Sequence, residues 1–384
     1  MTENTIDSIQ RFAFPTEILF GAGCRKKIPE VLVARGVEHP LIVTDAGLVK
    51  QPVFQEFLDT LKEGGLDPIV CSSVTGNPVH RHVGDGLCAY AAGPCDSILA
   101  FGGGAAMDVA KCVALMVNHP GSLFEYEIGA NPRRPIDQPM PPLFAVPTTA
   151  GTGSEVARSA VISEDESRVK RIITSPGLLP RTVFADPELT FDLPPHITAA
   201  TGMDALTHCI ESFLSPLYHP MCDGIALEGI RLVANNLERA VSHPRDLEAR
   251  TAMMMAAMMG AVSFQKDLGV VHSCAHALSA EFDLHHGLAN GMMLPACMDH
   301  NSRSVPDLFV RMSRIIGLKD ERPAAFIEWL RHLKSAIGLP KGLAALGVTI
   351  TDRLIETTMA DPCHHTNPVP VDRVHVRVLF ERSL

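Results

Sequence analysis

A chain of 384 residues, 46% hydrophobic and 20% charged, is long enough for two domains with separate cores and has an ordinary globular balance. A formal net charge of −10 without any dense Lys/Arg run disfavours nucleic acid and anionic membranes as partners. Ten cysteines scattered from Cys24 to Cys363 without a CxxC pair suit reduced thiols in a cytoplasm, not a disulfide framework.

The polar opening MTENTIDSIQRF has no basic region leading into an apolar one, so it does not read as a signal peptide. Short apolar runs follow at 40–45 (PLIVTD), 67–73 (DPIVCSS), 96–104 (DSILAFGGG) and 142–149 (PLFAVPTT). Helical spacing separates them. In VFQEFLDTLKEGG (53–65), Val53, Phe54, Phe57 and Leu61 form one stripe that Gly64-Gly65 closes. Strands alternating with helices imply a parallel sheet covered on both faces. The texture changes at FADPELTFDLPPHITAATG (184–202), a Pro-rich connection. Helical patterns follow it: ALEGIRLVANNLERAV (226–241), the Met-rich TAMMMAAMMGAVSF (251–264) and AAFIEWLRHLKSAIG (324–338). The Met-rich window is too short to span a bilayer and reads as a buried helix. The expected architecture is an α/β domain with a parallel dinucleotide-binding sheet over 1–190, then an all-helical domain over 191–384.

Four motifs carry chemistry. In ILAFGGGAAMDVAKCVAL, three glycines sit between a strand and a helix, where backbone N–H groups attract phosphate. A plain strand-to-helix turn explains that motif equally well. The usual G-x-G-x-x-G with an acidic residue about 20 positions later does not fit; the best acidic candidate, Asp45, lies upstream. AVPTTAGTGSEVARS (145–159) gathers hydroxyls and N–H groups after a strand, with Ser-Glu read as opening a helix, and suits a pyrophosphate or ribose. ATGMDALTHCIESF places Asp204 and His208 at i and i+4, one face of a helix. GVVHSCAHALSAEFDLHHG contributes His272, His276, His285 and His286 of the chain's 17 histidines. Ser273 excludes a His-Glu-x-x-His protease helix. Local geometry favours His272 with His276, because continuous helix would hold His272 and His286 about 21 Å apart. Both reach one ion only if the chain folds back between them, so the spacing leaves the ligand choice open.

In order and spacing, GGGAAMDVAK, PTTAGTGSEV, GMDALTHCIE and GVVHSCAH…HHGLAN resemble the iron-containing (group III) alcohol dehydrogenases over nearly the whole chain. The resemblance implies the dehydroquinate synthase-like architecture those enzymes use, a bound NAD, a divalent metal and a homodimer. Its metal ligands are Asp204, His208, His272 and His286, with His276 near the nicotinamide and assisting proton transfer, and His285 outside the set. Its cofactor positions are Gly103, Gly104, Asp108, Thr148, Thr149 and Thr152, joined by Asp45, Asn77 and Lys170. Three histidines and a carboxylate suit Fe²⁺, and Zn²⁺ fits as well. Some positions depart from the pattern: Ala105 stands for the usual Ser, Ala277 and Ser279 for common Pro and Gly, and Val369 for the Arg that often follows Asn-Pro.

The expected function is a metal-dependent transfer of hydride between NAD(H) and a small primary alcohol or aldehyde. It rests on a metal that acidifies the hydroxyl and a nicotinamide that takes the hydride. Asp45 at a strand end favours NAD over NADP by accepting from ribose hydroxyls; the other reading is a turn-forming Asp before Ala46-Gly47. Ser159 and Val161 share a face of an extended segment and are the substrate candidates, with Arg158 on the other face. Lys266 is read as a solvated side chain that Asp267 neutralises. The alternatives are an NAD-containing lyase of the dehydroquinate-synthase type and a reductase of a carboxylated aldehyde such as succinic semialdehyde. A metallohydrolase would not need two dinucleotide loops, and a non-catalytic binding module would not need every ligand position filled.

Overall fold

The computed structural model describes residues 12–14 and 16–384; most of the polar opening read above as lacking a signal sequence lies outside them. The chain divides into two compact units. A sheet unit comprises residues 16–149 and Ser154–Phe191, and a helical unit comprises residues 12–14, Ala150–Gly153 and Asp192–Leu384.

The apolar runs of the sheet unit form strands and the amphipathic stretches between them form helices. In chain order these are β1 (Glu17–Phe20), α1 (Ile28–Ala34), β2 (Pro40–Asp45), α2 (Pro52–Glu63), β3 (Ile69–Val74), α3 (His80–Ala91), β4 (Ser97–Gly102), α4 (Gly104–Met116) and β5 (Leu143–Pro147). The hairpin strands β6 (Ser159–Ser163) and β7 (Lys170–Thr174) and the strand β8 (Thr182–Ala185) complete the unit. Six strands make one parallel sheet in the order β1-β8-β5-β4-β2-β3. Every residue of β4 and β5 is buried, as strands covered on both faces require. The α2 stripe supplies part of that cover: Phe57 stacks on Phe101 at 4.2 Å and Phe54 meets the same ring at 5.6 Å.

The strand order reverses direction between β2 and β4. The chain leaves β2 towards β3 on one side and leaves β4 towards β5 on the other. Adjacent strands whose connections diverge open a crevice at their C-terminal ends, where ligands of open α/β sheets bind. Asp45 ends β2, and Gly102-Gly103 ends β4 and opens α4.

Some elements differ from the sequence reading. Strands β1, β7 and β8 carried no clear periodic signal at four or five residues each. Ser154-Glu155 opens only a three-residue 3-10 turn, Ser154–Val156, and not an α-helix, because the chain turns at once into β6. The Pro-rich connection is shorter than 184–202: β8 extends to Ala185, and a long helix starts at Pro195. Proline is compatible with the first helical position, where its missing N–H is unneeded.

That helix, α5 (Pro195–Leu214), is buried on every side from Thr198 to Leu214 and is the centre of the helical unit. Around it come α6 (Pro220–Ser242), the Met-rich α7 (Leu247–Ser263), α8 (Val270–Phe282), α9 (His286–Ser302), α10 (Pro306–Ile315), α11 (Pro323–Ala336), α12 (Asp352–Ala360) and α13 (Arg373–Glu381). No helix of the described residues is long and apolar enough to cross a membrane.

Candidate active site

The histidine-rich segment folds back on itself. Asp283 ends α8 in the left-handed conformation (φ 52°), and α9 starts three residues later with His286. The reversal brings His286 within a ring-centroid distance of 5.3 Å of His272, against the 21 Å of a continuous helix. Gly287 permits this. A Cβ there would lie 2.2 Å from the Ala200 carbonyl oxygen and 3.1 Å from the Asp204 Cβ, so only glycine lets α9 start this close to α5.

Asp204, His208, His272 and His286 each offer one ligand atom, all within 4.8 Å of one another. Asp204 Oδ1 lies 3.9 Å from the Nε2 atoms of both His208 and His272 and 3.5 Å from His286 Nε2. Burial pushes His208 down to about 4, which keeps it the neutral imidazole a metal needs. His272 Nδ1 donates to Glu211 Oε2 at 2.6 Å, so its Nε2 carries a lone pair. Lone pairs converging on a carboxylate repel one another unless a cation lies among them. The donor set therefore fits a divalent ion with imidazole and carboxylate ligands.

The residues behind this set went unnoticed in the sequence. Glu211 also accepts from the backbone N–H of Val271 at 2.7 Å, fixing the start of α8 as well as the His272 ring. Its signal was present: Asp204, His208 and Glu211 follow i, i+4, i+7 on one face of α5. Asn290, one turn after His286, donates to Asp204 Oδ1 at 2.7 Å.

His276 lies outside the four-residue cluster. Its ring stacks on that of His286 at 5.1 Å and 19°, and its Nδ1 is 2.7 Å from Asp361 Oδ2. Burial opposes ionisation of Asp361, but the adjacent imidazole and the N–H and O–H groups on its oxygens hold the carboxyl below the usual carboxylate range. His285 is exposed at the head of α9.

In the sheet unit, α4 starts at Gly104 with no side chain capping its first N–H groups and no acidic residue in its first turn. That leaves a helix N-terminus open to a phosphate, at the crevice the strand order creates. Thr148 and Thr149 follow β5, next to β4 in the sheet. Thr148 N–H donates to the Gly102 carbonyl at 3.0 Å, and a Cβ on Gly103 would lie 3.3 Å from Thr149 Oγ1. Asp45 Oδ1 accepts from the N–H groups of Gly47 (3.0 Å) and Leu48 (2.7 Å), so the turn-forming role is real and engages one of its two oxygens. Asn77 follows β3 and Lys170 opens β7. Asp108 faces inward, with Oδ1 accepting from Ser154 Oγ at 2.6 Å and Oδ2 from Val161 N–H at 2.9 Å. It ties α4 to β6.

In the helical unit, Thr152 lies between Gly151 and Gly153. A Cβ on Gly151 would be 2.6 Å from the Thr201 Cβ, and one on Gly153 2.3 Å from the Ala261 Cβ. These two glycines are demanded by packing against α5 and α7. Ser159 and Val161 are half-buried on one face of β6, and Arg158 just before it is exposed. Ser159 Oγ is 3.1 Å from Thr174 Oγ1.

Lys266 corrects the sequence reading. It is 3% exposed, and its Nζ lies 2.5 Å from Asp223. Burial made an ion partner obligatory, and Asp223 of α6 supplies one.

Comparison with known proteins decides the family. The model of the iron-containing alcohol dehydrogenases matches residues 15–187, and that of the C-terminal region of the same family matches 198–384. The chain belongs to the iron-containing alcohol dehydrogenases. It is an oxidoreductase of small alcohols with the α/β-then-helical fold the motifs implied. A 4-hydroxybutyrate dehydrogenase of Cupriavidus necator is 39% identical over 91% of this chain and 93% of its own. Among solved structures of similar fold, a 1,3-propanediol oxidoreductase superposes with a TM-score of 0.93 at 33% identity, covering 98% of this chain and 100% of its own. A sulfoacetaldehyde reductase from Bifidobacterium kashiwanohense, in complex with NAD⁺, gives a TM-score of 0.89 at 30% identity over 98% and 99% of the two chains.

Proposed function

We propose that this alcohol dehydrogenase interconverts a small primary alcohol and its aldehyde with NAD(H), using Fe²⁺ held by Asp204, His208, His272 and His286. The single observation that carries the reading is the convergence of three imidazoles on the Asp204 carboxylate. Iron bound there would supply Lewis acidity towards the alcohol oxygen, and NAD the hydride acceptor. Zn²⁺ suits the same donors and is the second choice. The residues of the chain do the rest. Glu211 and Asn290 orient the donor set, and His276 passes the hydroxyl proton. Gly103, Gly104, Thr148 and Thr149 take the pyrophosphate region. Asp45, Asn77, Asp108 and Lys170 complete the cofactor site, with Asp108 acting through its tie to β6.

Ten free thiols favour a reducing, cytoplasmic setting. The exposed Leu217, Tyr218 and Met221, gathered in one short stretch, favour a homodimer. The dehydrogenase family replaces the lyase alternative.

The remaining oxygen of Asp45 is the basis for NAD. A carboxylate there accepts from the ribose hydroxyls and repels a 2′-phosphate. Asp45→Gly is expected to raise kcat/KM with NADP relative to NAD by roughly tenfold or more, the effect of removing about 1.4 kcal/mol of repulsion. An unchanged ratio would leave Asp45 a turn former only.

Ser159 and Val161 are proposed to line the substrate side, with Ser159 able to hydrogen-bond a second hydroxyl. The substrate is proposed to be uncharged, because Lys266, the cation nearest in sequence to ligand His272, is already paired with Asp223. The identity with a 4-hydroxybutyrate dehydrogenase favours a second reading, a carboxylated substrate. Protein loaded with Fe²⁺ without oxygen and mixed with NADH and a panel of aldehydes tests both readings. Butyraldehyde or a hydroxyaldehyde is expected to consume NADH with the higher kcat/KM. A large advantage for succinic semialdehyde, erased by Lys266→Ala, would reverse the preference, and inertness towards the whole panel would refute the function.

A further inference from the structure

The hydrogen bonds around Asp361 fix which way its carboxylate is used. Oδ1 accepts two donors, the Ser273 hydroxyl at 2.8 Å and the Cys363 backbone N–H at 2.9 Å. Oδ2 is left to the His276 Nδ1 at 2.7 Å. Ser273 is itself held in place, because its oxygen accepts from the His364 N–H at 2.9 Å and its proton must then go to Asp361. Each of these contacts leaves Asp361 as an acceptor only. A neutral imidazole carries one ring proton, and an acceptor at Nδ1 keeps that proton there.

We propose that Asp361 is a positioning residue that locks His276 in its Nδ1–H tautomer and so makes Nε2 its proton-accepting atom. The inference rests on the proton-transfer role assigned to His276 above. In the alcohol direction His276 Nε2 would take the hydroxyl proton as the O–H bond breaks, while bound NAD would supply the acceptor for the hydride of the C–H bond. With aldehyde and NADH as the balancing products, the imidazolium so formed would carry its positive charge against the Asp361 carboxylate. In the reverse direction Nε2 returns the proton. Asp361 lies 85 positions from His276, as the N-cap of the 3-10 turn Pro362–Thr366 that follows α12, and no motif joins the two in sequence.

Asp361→Asn tests this with one atom exchanged. The Cys363 N–H cannot become an acceptor, so the amide oxygen of the variant must face Cys363 and Ser273, and its NH₂ group must face His276. The ring then accepts at Nδ1 and carries its proton at Nε2. ¹⁵N imidazole spectra, with His276 assigned by its loss in His276→Ala, are expected to show the Nδ1–H tautomer in the wild-type protein and the Nε2–H tautomer in Asp361→Asn. The kcat is expected to fall by roughly 10²-fold or more, the range of general acid–base catalysis, with KM for NADH and metal content unchanged. The double variant with His276→Ala is expected to be no slower than His276→Ala alone. An Nε2–H tautomer in the wild-type protein overturns the proposal whether or not the variant folds, as does an equal loss from Asp361→Asn with and without His276. If His276→Ala kept full kcat, the proton-transfer role would fail, while the spectra would still decide whether Asp361 sets the tautomer.

Discussion

Removing His272 or His286 is expected to abolish metal binding, and removing His276 is not. In His272→Ala and His286→Ala, metal content measured by mass spectrometry after anaerobic loading with Fe²⁺ should collapse, and activity with it. Three remaining donors and the loss of one anchoring imidazole leave a site that water can complete but the protein no longer holds. Changes behind a ligand already cost about 10–100-fold in metal affinity or activity; losing a ligand itself should cost more. Glu211→Gln supplies that intermediate case. It keeps the shape of the partner that receives His272 Nδ1–H at 2.6 Å but removes the charge that makes the ring a stronger donor to the metal. His276→Ala should retain metal, because its ring lies outside the cluster and its Nδ1 is engaged by Asp361. Retention of iron in His286→Ala with loss in His276→Ala would transfer ligation to the i, i+4 pair of α8.

That contrast also marks what the sequence could and could not reveal. Helical periodicity located Asp204 and His208 on one face of α5, and alternation of strands and helices foretold the parallel sheet with Asp45 and the glycines at its strand ends. Both features depend on residues a few positions apart. The return of His286 to His272 depends on a single left-handed residue, Asp283 (φ 52°), and on close approach of two helices at Gly287; neither is encoded in spacing. Only the family motif supplied that pairing in advance. Asp361 and Asn290 were hidden for the same reason, since their partners come from other helices. Lys266 was misjudged because burial belongs to the packed unit and not to the residue type: an ammonium beside an acidic neighbour reads as solvated until α6 places Asp223 against it. The GTG segment was legible as a loop but not in its purpose. Its glycines suggested room for a phosphate, and the structure shows them occupied by contacts with Thr201 and Ala261.

Gly287→Ala is expected to damage the metal site more than its single methyl suggests. The added Cβ would sit 2.2 Å from the Ala200 carbonyl oxygen and 2.8 Å from its carbon. Both are backbone atoms of α5, so no side chain can rotate aside. The first turn of α9 must move away from α5, and His286, one residue earlier, moves with it relative to Asp204 on the same face. Overpacking of this kind costs about 1–3 kcal/mol, and a displacement near 1 Å is enough to loosen a preorganised site. Thermal unfolding of Gly287→Ala should therefore begin at lower temperature, and its Fe²⁺ affinity should drop at least tenfold, with NADH binding, which the proposed function assigns to the sheet unit, unaffected. Gly224→Ala is the matched control. It too lies in a helix, α6, but a Cβ there meets nothing within 4 Å, so the exchange should stabilise by roughly 0.4–1 kcal/mol through the unfolded chain and leave iron binding alone. Wild-type iron affinity and unfolding temperature in Gly287→Ala would show that α9 does not need this approach to α5, and the account of how His286 reaches Asp204 would fall.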